Sequence, residues 1–183
     1  MMILLLLLVI VAMVESYTFY LAVDSQNPYW VHHVYAPIEY ALTATLFSIW
    51  QKKAAVKKLF RLSIFPFAIL CLWDILSGGS LNDLNAFTAS VAYTLYMGMS
   101  AYTLLNIDQK NIRSTFSDHR FWIGTALLFY SAGALAYFSF HATIVTDFLV
   151  QVWALHEGLN IVAYILYSVG FICQARSWNQ AGA

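Results

Sequence analysis

Four ionisable side chains of this chain stand where charge is expensive. Glu15, Glu39, His156 and Glu157 fall inside long apolar runs, roughly 8 to 15 Å from the nearer end when counted at about 1.5 Å per helical residue. Placing such a group in hydrocarbon costs roughly 2.5 to 3.5 kcal/mol, so each must face a partner or a wet cavity. Groups of these types at such depth bind polar ligands, relay protons or, in sets of about three with a water, hold a catalytic metal. Spacing shows which neighbours serve them, because residues three or four apart share a helix face. Tyr35, Glu39 and Thr43 form one polar stripe, and His156, Asn160, Tyr164 and Tyr167 another. Tyr93, Tyr96 and Ser100 form a third, and Tyr130, Tyr137 and His141 a fourth.

The same residue types also serve as plain hydrogen-bond glue between membrane helices, at about 0.6 kcal/mol each. For the tyrosines both readings stay open; for the buried carboxylates and imidazole a partner is required. Asp74, close to the end of its apolar run beside Trp73, reaches either inward or to the interface. The expected ligand-binding set is therefore Tyr35, Glu39, Asp74, Tyr93, Tyr96, Trp153, His156 and Asn160, with Glu15 and Glu157 as further buried ionisable groups. A cavity is expected between the second, third and sixth spans. His156 and Asn160 should face it, with His156 in hydrogen-bond reach of Glu39, while Glu157, about 100° round the helix, finds a separate partner such as a tyrosine or Glu15.

No metal site is expected: there is no HExxH, His156 is the one deep histidine, and Cys71 and Cys173 lie in separate apolar runs without CxxC spacing. The sequence assigns no catalytic residue and no cofactor. A nucleic-acid partner is excluded because the basic residues form no patch interleaved with aromatics.

The elements that position these groups follow from composition. Of 183 residues 61% are hydrophobic and 10% charged, with a mean hydropathy of +0.69, too little charge to coat a soluble domain of this size. Each crossing of a hydrocarbon layer about 30 Å thick needs roughly 20 mostly apolar helical residues. Six windows qualify, at about 2–22, 34–50, 59–76, 85–105, 121–140 and 148–173. The expectation is an all-α, polytopic transmembrane bundle, a single domain over 1–183. The first window also has the apolar core of a signal peptide, but it lacks a basic n-region and an A-x-A site, and its apolar run continues through Tyr17 to Val23, which favours a retained span.

Orientation comes from the loops. Lys52, Lys53, Lys57, Lys58 and Arg61 follow the second window, Lys110, Arg113 and Arg120 surround the connection after the fourth, and Arg176 lies in the tail. With six spans all nine fall on one side, which makes that side and both termini cytoplasmic. Glu15, Asp24, Glu39, Asp74, Asp83, Asp147 and Glu157, with His32, His33, His141 and His156, gather in the opposite half. Asp108 and Asp118 are the exceptions.

The segments VYAPIEYALTATLFSIW and VWALHEGLNIVAYILYSVGF resemble parts of small, poorly characterised bacterial membrane proteins that are similar to the multi-helix sensory regions of some signalling proteins. That resemblance implies a bacterial inner-membrane location and a sensing role. Such families commonly have seven or eight helices and an output domain; six spans without one imply a membrane or cytoplasmic protein partner that transmits the signal. The resulting expectation is a binding or sensory bundle with an aromatic-lined polar pocket open to the outer face. Against it stand an intramembrane metal-assisted hydrolase, a proton-coupled carrier and an accessory subunit of a membrane complex.

Overall fold

The apolar windows become helices. The computed structural model describes residues 2–77, 81, 83, 85–107, 112–141 and 146–181, with side chains at 112–114, 140–141, 146–153 and 177–181 left aside. Among the described residues the chain is helical with short connections and no strand. The elements are α1 (Met2–Val23), α2 (Tyr29–Trp50), α3 (Ala54–Leu62), α4 (Ile64–Leu76), α5 (Ala86–Leu105), α6 (Ile112–Ser117), α7 (His119–His141) and α8 (Thr146–Ala181). All six expected windows are helical, but α2 begins at Tyr29, α8 continues to Ala181, and the third window is preceded by the extra helix α3. The side chains of Trp153, His141, Asp147 and Arg113, together with Asp108 and Lys110, lie outside the described residues.

Four of the described stretches are long and apolar enough to cross a membrane: Met2–Val23, Ala54–Leu76, His119–Ser139 and Ala154–Arg176. These coincide with the first, third, fifth and sixth windows. The helices at the second and fourth, α2 and α5, are 22 and 20 residues long. Hydroxyls and titratable groups dilute them, Glu39, Thr43, Thr45 and Ser48 in α2 and Thr88, Ser90, Thr94, Ser100 and Thr103 in α5. Hydroxyls inside such helices spend their donors locally: Ser16 donates to the carbonyl of Ala12 at 2.7 Å, Thr103 to that of Met99 at 2.8 Å and Ser168 to that of Tyr164 at 2.9 Å.

The chain forms two compact units, residues 1–92 and 93–183. In the first, α2 is the centre, packed against α1, α3 and α4. Tyr40, Ala44 and Phe47 are fully buried along it. The phenol of Tyr40 stacks on Phe67 at 4.1 Å between ring centroids and donates to the Ser63 hydroxyl at 2.8 Å. About two turns further along α2, Ser48 accepts from the Arg61 Nε at 3.1 Å. The α1–α2 turn closes through Ser25, which takes the left-handed conformation at φ 58°, and through Asn27, whose side-chain oxygen accepts the Tyr29 amide at 2.9 Å.

Ser63 separates α3 from α4 without breaking the helical course. Its own φ and ψ are −62° and −18°, its amide bonds the Leu59 carbonyl, and its carbonyl accepts the Phe67 amide. Pro66, which has no N–H to give to the Leu62 carbonyl, accounts for the loosened turn.

In the second unit α7 and α8 run in opposite directions in close contact. A Cβ on Gly170 would come within 2.8 Å of Ile123, and one on Gly133 within 2.7 Å of Leu159. The absence of side chains at these two points lets the backbones approach. Asp118 starts α7: its carboxylate accepts the Arg120 amide at 2.9 Å and also holds the Arg120 guanidinium.

Candidate functional site

The polar residues nominated by spacing fall into the two units. Tyr35, Glu39 and Asp74 belong to the first; Tyr93, Tyr96, His156 and Asn160 belong to the second.

In the first unit the polar stripe of α2 exists as expected, with Tyr35 and Glu39 half-buried and Thr43 buried. Glu39 sits on the side of α2 turned toward α1, where Glu15 is its electrostatic neighbour, and Tyr40 on the side turned toward α3 and α4. Asp74 does not stand open. It accepts from the Thr88 hydroxyl at 3.3 Å, which joins the end of α4 to the first turn of α5. The adjacent histidines likewise do structural work: the His33 ring bonds the Asp83 carbonyl at 3.0 Å, and Asn85 reaches the His32 carbonyl at 3.5 Å.

The second unit holds the denser arrangement. His156 of α8 stacks on Tyr137 of α7, with centroids 5.8 Å apart and planes 18° apart, and meets Tyr130 at 5.8 Å and 45°. Tyr130 meets Tyr93 edge-on at 5.6 Å, and Tyr93 stacks on Phe138 at 5.7 Å. Phe138 meets Tyr137 at 5.3 Å, so five rings close a loop. Tyr130, Ala134 and Phe138 are successive i, i+4 positions of α7, and Ala134 is fully buried. A Cβ on Gly133 would stand 3.4 Å from His156 Nδ1. Two small residues therefore lie on the stretch of α7 that carries three of the five rings.

The hydrogen bonds of α8 set the polarity of this site. The Asn160 amide nitrogen faces two acceptors, His156 Nε2 at 3.5 Å and a Glu157 carboxylate oxygen at 3.5 Å. Both contacts are long, but together they fix the amide orientation with its nitrogen toward the two acceptors. If Nε2 accepts, the neutral imidazole carries its proton on Nδ1. Among the described residues, His156 Nδ1 and Asn160 Oδ1 are both buried without a hydrogen-bond partner. With that tautomer, one N–H donor and one carbonyl acceptor, a turn apart on one helix face, are left over beside the ring loop among the described residues. An orphaned buried polar atom costs about 1 to 3 kcal/mol, which a polar guest relieves.

Glu157 was expected to find a partner away from His156. Instead Asn160, three residues on, serves both, because one amide nitrogen carries two protons. Sequence spacing placed Tyr130 and Tyr137 on one stripe but gave no sign of Phe138 or of the part played by Gly133. Among the described residues no three His, Cys, Asp or Glu side chains converge as a metal-ligand set. No protein-family model, curated protein or solved structure matches this chain.

Proposed function

We propose that this protein is a six-span membrane bundle that binds a small polar molecule and passes its occupancy to a protein partner. The observation that carries this reading is the pair of polar atoms left without a partner among the described residues, His156 Nδ1 and Asn160 Oδ1, set beside a closed loop of aromatic rings. Sites for small molecules combine an apolar, aromatic lining with a few fixed polar groups in this way. A guest offering one acceptor and one donor, such as a carboxylic acid, an amide or an alcohol, fits the two orphans.

The membrane part of the reading rests on the four membrane-capable helices and on α2 and α5, whose polar residues suit helices shielded by neighbours. Counting all six as spans puts every Lys and Arg on one side, the cytoplasm, together with both termini. The location we infer, a bacterial inner membrane, rests on the resemblance of VYAPIEYALTATLFSIW and VWALHEGLNIVAYILYSVGF to small bacterial membrane proteins. A cysteine placed at Ser80 or Thr143 is then labelled by an impermeant reagent from outside, whereas one at Ala54 or Ser114 is not; labelling of both sets in intact cells ends the six-span topology.

The binding reading is tested by mass spectrometry of the protein purified in mild detergent without added ligand. A co-purifying small molecule that disappears from His156→Ala and Asn160→Ala supports it. Protein that carries nothing, or variants that carry as much as the parent, refutes it.

One observation favours a second reading. Glu15 and Glu39, on adjacent helices, are electrostatic neighbours, which suits proton handling in a coupled carrier. Proton flux into proteoliposomes that is lost in Glu39→Gln supports transport.

A further inference from the structure

The basic cluster after α2 is more than an orientation signal. Lys52, Lys53, Lys57, Lys58 and Arg61 fall within ten residues, and no Asp or Glu occurs between Glu39 and Asp74. Lys53 and Lys58 are exposed and Lys57 half-buried. Among the described residues none of these three is paired with a carboxylate. Arg61 gives its Nε to Ser48 at 3.1 Å, which anchors the guanidinium and leaves the rest of its donor fork for an anion.

Below this charge runs a matching apolar track. Because Ser63 keeps the helical register, Lys58, Leu62, Phe65, Ile69, Leu72 and Leu76 follow one another at alternating spacings of four and three and share a face. The five apolar members of that face are 50 to 83% exposed. From Leu62 to Leu72 the track is about 15 Å long, the depth of one leaflet of hydrocarbon. The opposite face, with Phe60 and Phe67, is buried against the rest of the unit.

We infer that this face of α3 and α4 is a binding site for an anionic phospholipid, with the phosphate of the headgroup held by Lys58, Lys57 and Arg61 and an acyl chain laid along Leu62 to Leu72. Charge decides between the occupants such a face could take. A second copy of this chain, inserted in the same orientation, would bring two clusters of five cations together with no acid to separate them. A zwitterionic lipid would bring its own cation to the lysines. An anionic headgroup alone neutralises them, and each basic residue near such a surface adds to the attraction.

The inference rests on reading Ala54–Leu76 as a membrane crossing, and the test separates the two. The full chain is reconstituted into nanodiscs of phosphatidylcholine with and without phosphatidylglycerol, extracted, and analysed by native mass spectrometry. Failure to enter nanodiscs at all overturns the membrane reading, and the lipid site with it. For protein that enters, the expected result is retained phosphatidylglycerol in preference to phosphatidylcholine. That preference falls by about tenfold or more when Lys53, Lys57 and Lys58 are changed to Gln, while the helical circular dichroism is unchanged. Soluble glycerol phosphate in excess leaves the retained lipid in place; displacement by it shows a phosphate site without an acyl track and overturns the proposal. Equal retention of both lipids, a preference unchanged in the triple variant, or a lipid-free dimer overturns it too.

Discussion

The imidazole of His156 lies nearly parallel to the phenol ring of Tyr137, across the interface between α7 and α8, with 5.8 Å between centroids. This stack holds the imidazole edge against the Asn160 amide. Tyr137→Leu keeps apolar bulk but removes the ring, and is expected to cost about 0.5 to 1.5 kcal/mol of stability in detergent. It should also weaken retention of any bound small molecule. Undiminished melting temperature and retention together would show that the stack positions nothing.

The approach of α7 to α8 at Gly133 leaves no room for a side chain. Gly133→Leu is expected to destabilise by about 1 to 3 kcal/mol through overpacking against Leu159 and His156. Gly158, around which a Cβ would meet nothing within 4 Å, is the control. Gly158→Ala should be neutral or stabilise by up to about 1 kcal/mol, the usual helix-interior gain. Equal effects from the two substitutions, read as shifts in thermal unfolding, would remove the packing argument.

Asp118 makes stability depend on acid. Burial alone would raise its carboxyl, but hydrogen bonds from the Arg120 side chain and amide, with the charges of Arg120 and His119, hold it below the ordinary carboxylate range. A group depressed on folding contributes stability that is complete above its unfolded value near 4 and is lost as pH falls through the lower folded value. Asp118→Asn is therefore expected to flatten the acid limb of the stability profile below about pH 4 and to cost about 1 kcal/mol near neutrality, through the weakened cap. Thermal scans across pH check this. A variant with the parent's acid limb would assign that limb to other groups.

In the first unit the Tyr40 hydroxyl is the polar link between α2 and the joint at Ser63. Tyr40→Phe keeps the stack on Phe67 and is expected to cost about 0.5 to 1.5 kcal/mol. Tyr40→Ala loses the ring from a fully buried place and is expected to cost about 3 to 5 kcal/mol. Denaturant titration in detergent measures both. Comparable losses from the two variants would mean that the hydroxyl, not the ring, carries the joint.

Helix positions and the polar stripe of α2 were legible because they depend on one helix at a time, whereas on α8 the expected inward stripe includes Tyr164, which is 51% exposed. Hydropathy marks where α1, α4, α7 and α8 run, and i, i+4 spacing aligns Tyr35, Glu39 and Thr43, or His156 and Asn160. What could not be read depends on the rotation of one helix against another. Nothing in the spacing of Asp74 says that Thr88 is its partner, or that Tyr93 of α5 and Phe138 of α7 stack. Asn160 was misjudged for a different reason: an i, i+4 stripe assigns it to His156, while its amide nitrogen also reaches the residue three back. The first part of α3, before Leu59 where the third expected window opens, was hidden in a run taken as a charged connection because of Lys57 and Lys58.

The 36 residues of α8 form a rod about 54 Å long, well beyond the roughly 30 Å thickness of a bilayer's hydrocarbon. His156 stands about 15 Å from its first residue, and Ala181, its last, about 38 Å beyond along the axis. A rotation of about 5° about the level of the imidazole therefore carries the last turn sideways by about 3 Å. The helix is a lever with its short arm among the rings of Tyr130 and Tyr137. Adjustments too small to disturb packing at that end are multiplied into larger displacements at the far tip.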